Sequence, residues 1–270
     1  MTAGRLPVIS LLTDFGTADY FVGAVKAAIL SVNPHAVIVD ITHEIAPQDI
    51  AAGAFTLFAA YKTFPAGTTH VAVVDPGVGS TRRPIIVNAN EQFFVGPDNG
   101  LFTYICDREP SHQIFHVTEE KYFRSDPSTT FHGRDIFAPV GAALSKGVKP
   151  REFGPRINDA VRLPVSLEPE AMKNGDVRAR IIHIDRFGNC VTNITRDLVK
   201  SNPTLLMNRK TIREFRNFYD EDSTKTPFAI WGSAGFLEIA VNGGSAAKTL
   251  KLTTGDEIIL TQKRKHAKKS

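Results

Sequence analysis

The sequence predicts an α/β N-terminal domain with a mostly parallel central sheet, then a smaller C-terminal all-β domain of barrel-like character. Three observations carry that prediction. Short β-branched runs alternate with helix-period stretches as far as Val74, the spacing that right-handed crossovers need in a parallel sheet. The run Val71-Ala72-Val73-Val74 reads as a buried strand and stops at Asp75-Pro76-Gly77, where a proline and a glycine end ladder pairing. The last ~90 residues change to many short strands with Gly and Asn turns, the pattern of a small barrel or sandwich. The expected divisions are 1–160 for the α/β domain, 161–175 for a linker, 176–262 for the β domain and 263–270 for a disordered basic tail.

The first strand is Pro7 to Leu12, ending at Thr13-Asp14-Phe15-Gly16. Asp19 or Thr17 is placed to cap a helix from about Tyr20 to Val32, with Phe21, Ala24, Val25, Ala28 and Ile29 on one face. Pro34 closes it, and Ala36 to Ile41 forms the second strand. Pro47 suits the first turn of a helix from Gln48 to about Phe64. After the Val71–Val74 strand comes a hairpin-like pair, 84–90 and 92–95, then a turn at Gly96-Pro97-Asp98-Asn99-Gly100. A short helix at 101–105, a strand at 112–117 and a helix from about Ile136 to Ser145 complete the domain. Strands of the second domain are expected at 177–184, 190–194, 205–207, 228–231, 236–241 and 257–260.

The chain has 270 residues, enough for a sizeable core. No apolar run reaches the ~18 residues of a membrane span, and no secretory h-region precedes the first strand. Two cysteines, Cys106 and Cys190, make no disulfide framework. A cytoplasmic setting is expected, with no membrane partner. The net charge is +4, and the segment Lys263-Arg264-Lys265-His266-Ala267-Lys268-Lys269-Ser270 carries the excess. A basic face on the fold, which a nucleic-acid partner would require, is not expected.

Three acids end strands beside a glycine: Asp14, Asp75 and Asp185. An Asx-turn or helix cap explains any one of them. Three together point to a cleft, where a strand-end carboxylate can accept hydrogen bonds from a vicinal diol. The Gly-rich loop after Asp75 leads into a strand, not a helix, so it does not suit phosphate cradling. Asp75, Arg82 and His132 are placed to form a charged group, with Arg83 competing for the place of Arg82. The histidines are scattered without zinc spacing, and no metal site is expected. Phe187, Trp231 and Phe236 lie near polar turns, as purine-stacking rings or as core.

Six motifs in order carry a resemblance. They are Thr13-Asp14-Phe15-Gly16, the Val-Asp-Pro-Gly-Val-Gly loop at 74–79, Gly96-Pro97-Asp98-Asn99-Gly100, Phe131-His132-Gly133-Arg134-Asp135, Asp185-Arg186-Phe187-Gly188-Asn189 with Thr192-Asn193-Ile194, and Ser233 to Asn242. Together they resemble the S-adenosyl-L-methionine hydroxide adenosyltransferases, relatives of the fluorinase and chlorinase. The resemblance implies hydrolysis of S-adenosylmethionine to adenosine and L-methionine, with no cofactor, since S-adenosylmethionine is the substrate. It implies that Asp75, Arg82 and His132 activate water and that Asp14 binds the ribose. It implies that Asp185, Asn189, Ser233, Glu238 and the backbone at Val241 hold the purine and methionine parts. Phe131, Gly133, Phe187 and Phe236 complete the implied pocket. A homotrimer is implied too, with each site between the N-terminal domain of one subunit and the C-terminal domain of the next.

Two other readings compete. A halogenase is disfavoured because Asp75 and His132 stand where the halide-using relatives carry aromatic residues, Val78 lacks a hydroxyl, and a carboxylate repels an anion. A non-catalytic adenosine- or S-adenosylmethionine-binding protein is the other, since clefts bind more often than they react. A methyltransferase does not fit, because its Gly-rich loop follows the first strand.

Overall fold

The computed structural model describes residues 6–200, 202–221 and 224–262. The basic segment 263–270 lies outside the described residues. The chain divides into two compact units, residues 1–164 and 165–270.

The first unit holds β1 (Val8–Thr13), α1 (Phe21–Val32), β2 (Val37–Thr42), α2 (Ile50–Tyr61), β3 (Thr69–Val73), β4 (Pro84–Ala89), β5 (Gln92–Pro97), α3 (Thr103–Arg108), β6 (Gln113–His116), α4 (Ala138–Ser145) and β7 (Arg156–Ile157). The sheet order is β2-β1-β3-β5-β4-β6-β7. The expected parallel arrangement holds for β2, β1, β3 and β5. The other half is antiparallel, so the sheet is mixed. The two-residue turn Asn90-Glu91, with both φ positive at 51° and 57°, folds β4 directly back on β5, as primed hairpin turns do.

The strand β3 is covered on both faces, which is why it reads as an unbroken apolar run. A Cβ at Gly141 of α4 would lie 2.5 Å from Val71 Cγ2. A Cβ at Gly53 of α2 would lie 3.0 Å from Val74 Cγ2. Val71 and Val74 sit at odd separation and therefore on opposite faces, so each helix presses its smallest residue onto the central strand. The core on the α1 and α4 side gathers Ile9, Leu11, Val25, Ile29, Val71, Val73 and Phe137.

Two helix starts differ from expectation. Tyr20 is the N-cap of α1, and neither Thr17 nor Asp19 caps it; Thr17 instead donates to Glu44 Oε1 at 3.3 Å. The second helix begins at Ile50 behind Asp49, whose carboxylate accepts from Ala52 N. Gln48 cannot join it because its φ is 68°. Within the expected linker several residues have fixed partners. Val161 N donates to Asp98 Oδ1 and Leu163 N to Thr103 Oγ1, while Glu170–Ala171 pairs as a strand.

The second unit holds β8 (Glu170–Ala171), β9 (Val177–Ile184), β10 (Cys190–Thr195), β11 (Pro203–Met207), β12 (Lys210–Ile212), β13 (Phe215–Arg216), β14 (Phe228–Trp231), β15 (Phe236–Ala240), α5 (Ala246–Leu250) and β16 (Glu257–Gln262). The strand path β12-β11-β16-β9-β10-β15-β14-β13 does not close on itself among the described residues, and β8 adds to β9. It is a curled open sheet, with one short helix in a domain expected to be all-β. Its core joins Ala179, Ile181, Cys190, Ile194, Leu205, Leu237, Ile239, Ile258 and Leu260. Among the described residues no helix is long and apolar enough to cross a membrane.

Candidate active site

In the first unit Asp14 and Asp75 stand just past the carboxyl ends of β1 and β3. Asp75 follows Val74 at the end of β3. The loop beyond it turns tightly, with Val78 N donating to Asp75 O and Ser80 N to Gly77 O. That turn brings Arg82 back over Asp75. Arg82 Nε lies 2.9 Å from Asp75 Oδ1 and Nη2 lies 2.5 Å from Oδ2, the bidentate match of guanidinium to carboxylate. The same Nη2 lies 2.6 Å from His132 Nδ1. The Arg82 plane rests on the Phe137 ring at 5.1 Å. The side chains of Asp75 and Arg82 are 5% and 9% exposed, so each leaves a costly bare charge if the other is removed.

His132 is held by the loop that the Asp75 turn packs against. Gly79 has φ 78°, and a Cβ there would lie 2.4 Å from Thr129 O; only glycine permits that approach. Asp135, buried, accepts from Ser128 N and from both Arg134 Nε and Nη2, which ties the 128–131 loop to the turn after His132. Burial lowers the His132 pKa below the usual value, and the charge of Arg82 lowers it further. The imidazole is neutral at pH 7. Because Arg82 can only donate, Nδ1 accepts and the ring hydrogen sits on Nε2.

Arg83 takes a separate place. Its Nε lies 2.8 Å from Asp98 Oδ2 and its Nη1 2.9 Å from Asp159 Oδ1. Asp14 stands at the end of β1, where Oδ2 accepts from Gln48 N at 2.8 Å. Its loop is pinned to the neighbouring crossover, since Gly16 N donates to His43 O and Thr13 Oγ1 lies 2.8 Å from His43 Nδ1. Phe131 is buried in an aromatic cluster, 5.9 Å from Phe15 and 5.3 Å from Phe21, with the Arg134 guanidinium 4.9 Å from its ring. Gly133 lets Phe15 approach, since a Cβ there would meet its ring at 3.2 Å. These two residues flank His132 in the chain and pack against Phe15.

The second unit holds a cavity of about 640 Å³ lined by Asp185, Phe187, Asn189, Tyr219, Val241 and the 242–244 turn. Asp185 spends its carboxylate on its own turn, accepting from Phe187 N, Asn189 N and Asn189 Nδ2 at 2.9, 2.8 and 2.9 Å. The Asn189 amide nitrogen is thereby engaged. The Phe187 ring is 76% exposed at the cavity, a large apolar surface left in water.

Three further residues of the implied pocket, Phe236, Ser233 and Glu238, are not among those that line this cavity. Phe236 is 1% exposed; on β15 it shares the face of Glu238, opposite the core residues Leu237 and Ile239. Ser233 is exposed and does not line the cavity. Glu238 is 8% exposed and stands behind the cavity wall, accepting from the Tyr219 hydroxyl at 3.1 Å. Its carboxylate fills the space that a side chain at Gly232 would need. Burial raises its pKa; the bond from Tyr219 opposes that shift, and the charge of Asp185 adds to it. Tyr219 and the Gly243-Gly244 pair also line the cavity and were not among the residues expected from the sequence. Their sequence signal is slight: an aromatic in the polar run 217–221, and a Gly pair after an apolar strand.

The chain thus joins an α/β unit with an Asp–Arg–His group at a strand end to a β unit with an aromatic-lined cavity, two features found in enzymes that act on small molecules. Comparison with known proteins narrows this. The models of the SAM hydroxide adenosyltransferase N-terminal and C-terminal domains match residues 9–154 and 179–259. The chain belongs to the S-adenosyl-L-methionine hydroxide adenosyltransferase family. It is 38% identical to the (R)-S-adenosyl-L-methionine hydrolase of Methanocaldococcus jannaschii, over 94% of this chain and 95% of that one. A fluorinase of Nocardia brasiliensis is 28% identical, over 94% and 96%. The crystal structure of an uncharacterized conserved protein from Thermotoga maritima superposes with a TM-score of 0.86 at 36% identity, covering 94% of this chain and all of that one.

Proposed function

We propose that this protein hydrolyses S-adenosyl-L-methionine to adenosine and L-methionine. The observation that carries the proposal is Arg82 bonded at once to Asp75 and His132. A sulfonium is already a good leaving group, so the step needs an aligned water opposite sulfur at C5′. The water oxygen attacks C5′, the C5′–S bond breaks, and its electron pair passes to sulfur, releasing neutral thioether methionine. Asp75 accepts the proton that the water loses and passes it to solvent. His132, with its hydrogen on Nε2, donates to the water oxygen and holds it in line. Arg82 keeps both groups in place and fixes the imidazole tautomer.

Asp14 accepts the ribose hydroxyls, and the cavity of Phe187, Asn189 and Tyr219 receives the purine, whose flat face suits aromatic walls. The 5′ carbon then lies with the charged group of the first unit. We place the two halves of each site on different subunits of a homotrimer, and the protein in the cytoplasm, a reducing setting that fits two free, buried cysteines. The carboxylate of Asp75 disfavours a halide at the nucleophile position.

Incubation with S-adenosylmethionine, with and without chloride, followed by chromatography, tests the reading. Adenosine and methionine in equal amounts, unaffected by chloride, are expected. A 5′-chlorinated nucleoside would make the protein a halogenase, and adenosine binding without turnover would make it a binding protein.

A further inference from the structure

Gln48 has a backbone that its residue type disfavours. Its φ of 68° lies in the left-handed region, which glycine or asparagine ordinarily takes. The residue is exposed, so core packing does not impose the angle. The surrounding bonds explain how it is held. Asp49 N donates to Ala46 O at 3.0 Å, closing the four-residue turn Ala46-Pro47-Gln48-Asp49. Proline at the second position and a positive φ at the third are the pattern of a type II turn. Asp49 then caps α2.

The two common turn types differ in the peptide between their second and third residues, which faces opposite ways. In the type II form the N–H of Gln48 points out of the turn, and it reaches Asp14 Oδ2 at 2.8 Å. In a type I form the same peptide would turn over and present the Pro47 carbonyl to the carboxylate, oxygen against oxygen. The disfavoured angle at Gln48 is thus the condition for this bond between the β2–α2 loop and the end of β1.

We propose that Gln48 is a positioning residue for the ribose-binding carboxylate. Its N–H holds Oδ2 of Asp14, so that Oδ1 and the second lone pair of Oδ2 face the vicinal diol. This rests on the reading of Asp14 as the ribose acceptor, and it adds the element that sets the carboxylate's orientation. Strain at a functional position is held in place by its surroundings; here these are the Ala46–Asp49 bond, the cap of α2 and the pinning of residues 13–16 on His43.

The test compares adenosine with 2′,3′-dideoxyadenosine by calorimetry in the wild type, Gln48→Val and Gln48→Gly. Valine resists the left-handed angle and drives the turn to type I. It should lower adenosine affinity about tenfold, the loss of one charge-assisted hydrogen bond, and leave dideoxyadenosine affinity unchanged. Glycine keeps both the N–H and the angle, and should restore the wild-type ratio. In an Asp14→Asn background, Gln48→Val should cause no further loss. Should Gln48→Val fail to fold, Gln48→Thr carries the same comparison with milder strain. Equal losses for both ligands would reduce Gln48 to a structural role and overturn the proposal, as would a variant that discriminates like wild type. A wild type that binds both nucleosides equally would overturn the ribose reading of Asp14 itself, and the proposal with it.

Discussion

Arg82 Nη2 lies 2.6 Å from Nδ1 of His132, and this bond decides what the imidazole can do. A guanidinium never accepts, so Nδ1 is occupied as an acceptor and the hydrogen is on Nε2. Of the three charged or polar groups, Asp75 is the one left to take a proton.

Asp75→Asn keeps the shape but removes the proposed proton acceptor and one of the two oxygens to which Arg82 donates. Steady-state kinetics should show kcat down by about 10²–10⁴-fold, the range of positioned acid–base catalysis. Adenosine affinity by calorimetry should stay within about threefold. Wild-type turnover in this variant would remove Asp75 from its role.

The pH profile follows from His132. Burial and then the Arg82 charge lower its pKa, so the neutral form persists below pH 6.5. Stability from the neutral ring is complete above the unfolded value near 6.5 and is lost as pH falls through the lower folded value. Protonation also places a hydrogen on Nδ1, against the Arg82 donor. The acid limb of kcat/KM should therefore fall below pH 6.5 and should change in His132→Gln. A midpoint at or above 6.5 for the wild type would contradict the neutral-donor role.

Glu238 has the opposite sign. Its folded pKa is raised, chiefly by burial, so its favourable contribution is present below the unfolded value near 4.5 and is lost as pH rises through the folded one. Glu238→Gln keeps an acceptor for the Tyr219 hydroxyl without the buried charge. Thermal melts at pH 7 should show a higher Tm than wild type, and the gain should vanish toward pH 4. A lower Tm at pH 7 would mean that the charge is matched by a partner.

The proposed sharing of each site between subunits has a complementation test. Asp75→Ala damages the first unit and Asn189→Ala the second. Refolded alone, each should be inactive; refolded together, they should regain part of the activity, because some mixed sites carry neither lesion. No recovery, or a fully active monomer by light scattering, would place both halves in one chain.

Much of this protein is local in origin and was legible in the sequence. The strand Val71–Val74 and its stop at Asp75 follow from side-chain branching and a Pro-Gly break, and the 84–95 hairpin from its apolar spacing. The strand-end acids Asp14, Asp75 and Asp185, and the motifs of the family, were legible for the same reason. Other features depend on where distant segments meet. Arg82 and Arg83 are adjacent and chemically identical; the path of the Gly77–Gly79 turn sends one to Asp75 and the other to Asp98. Phe236 and Phe187 are both aromatics near polar turns, yet β15, covered on both faces, buries the first while a turn exposes the second. The left-handed angle of Gln48 cannot be read from Pro-Gln-Asp, because what stabilises it includes a carboxylate 34 residues away. Local propensity sets which segments become strands and turns; only the folded chain sets which side chains share a site, since that depends on long-range pairing and packing.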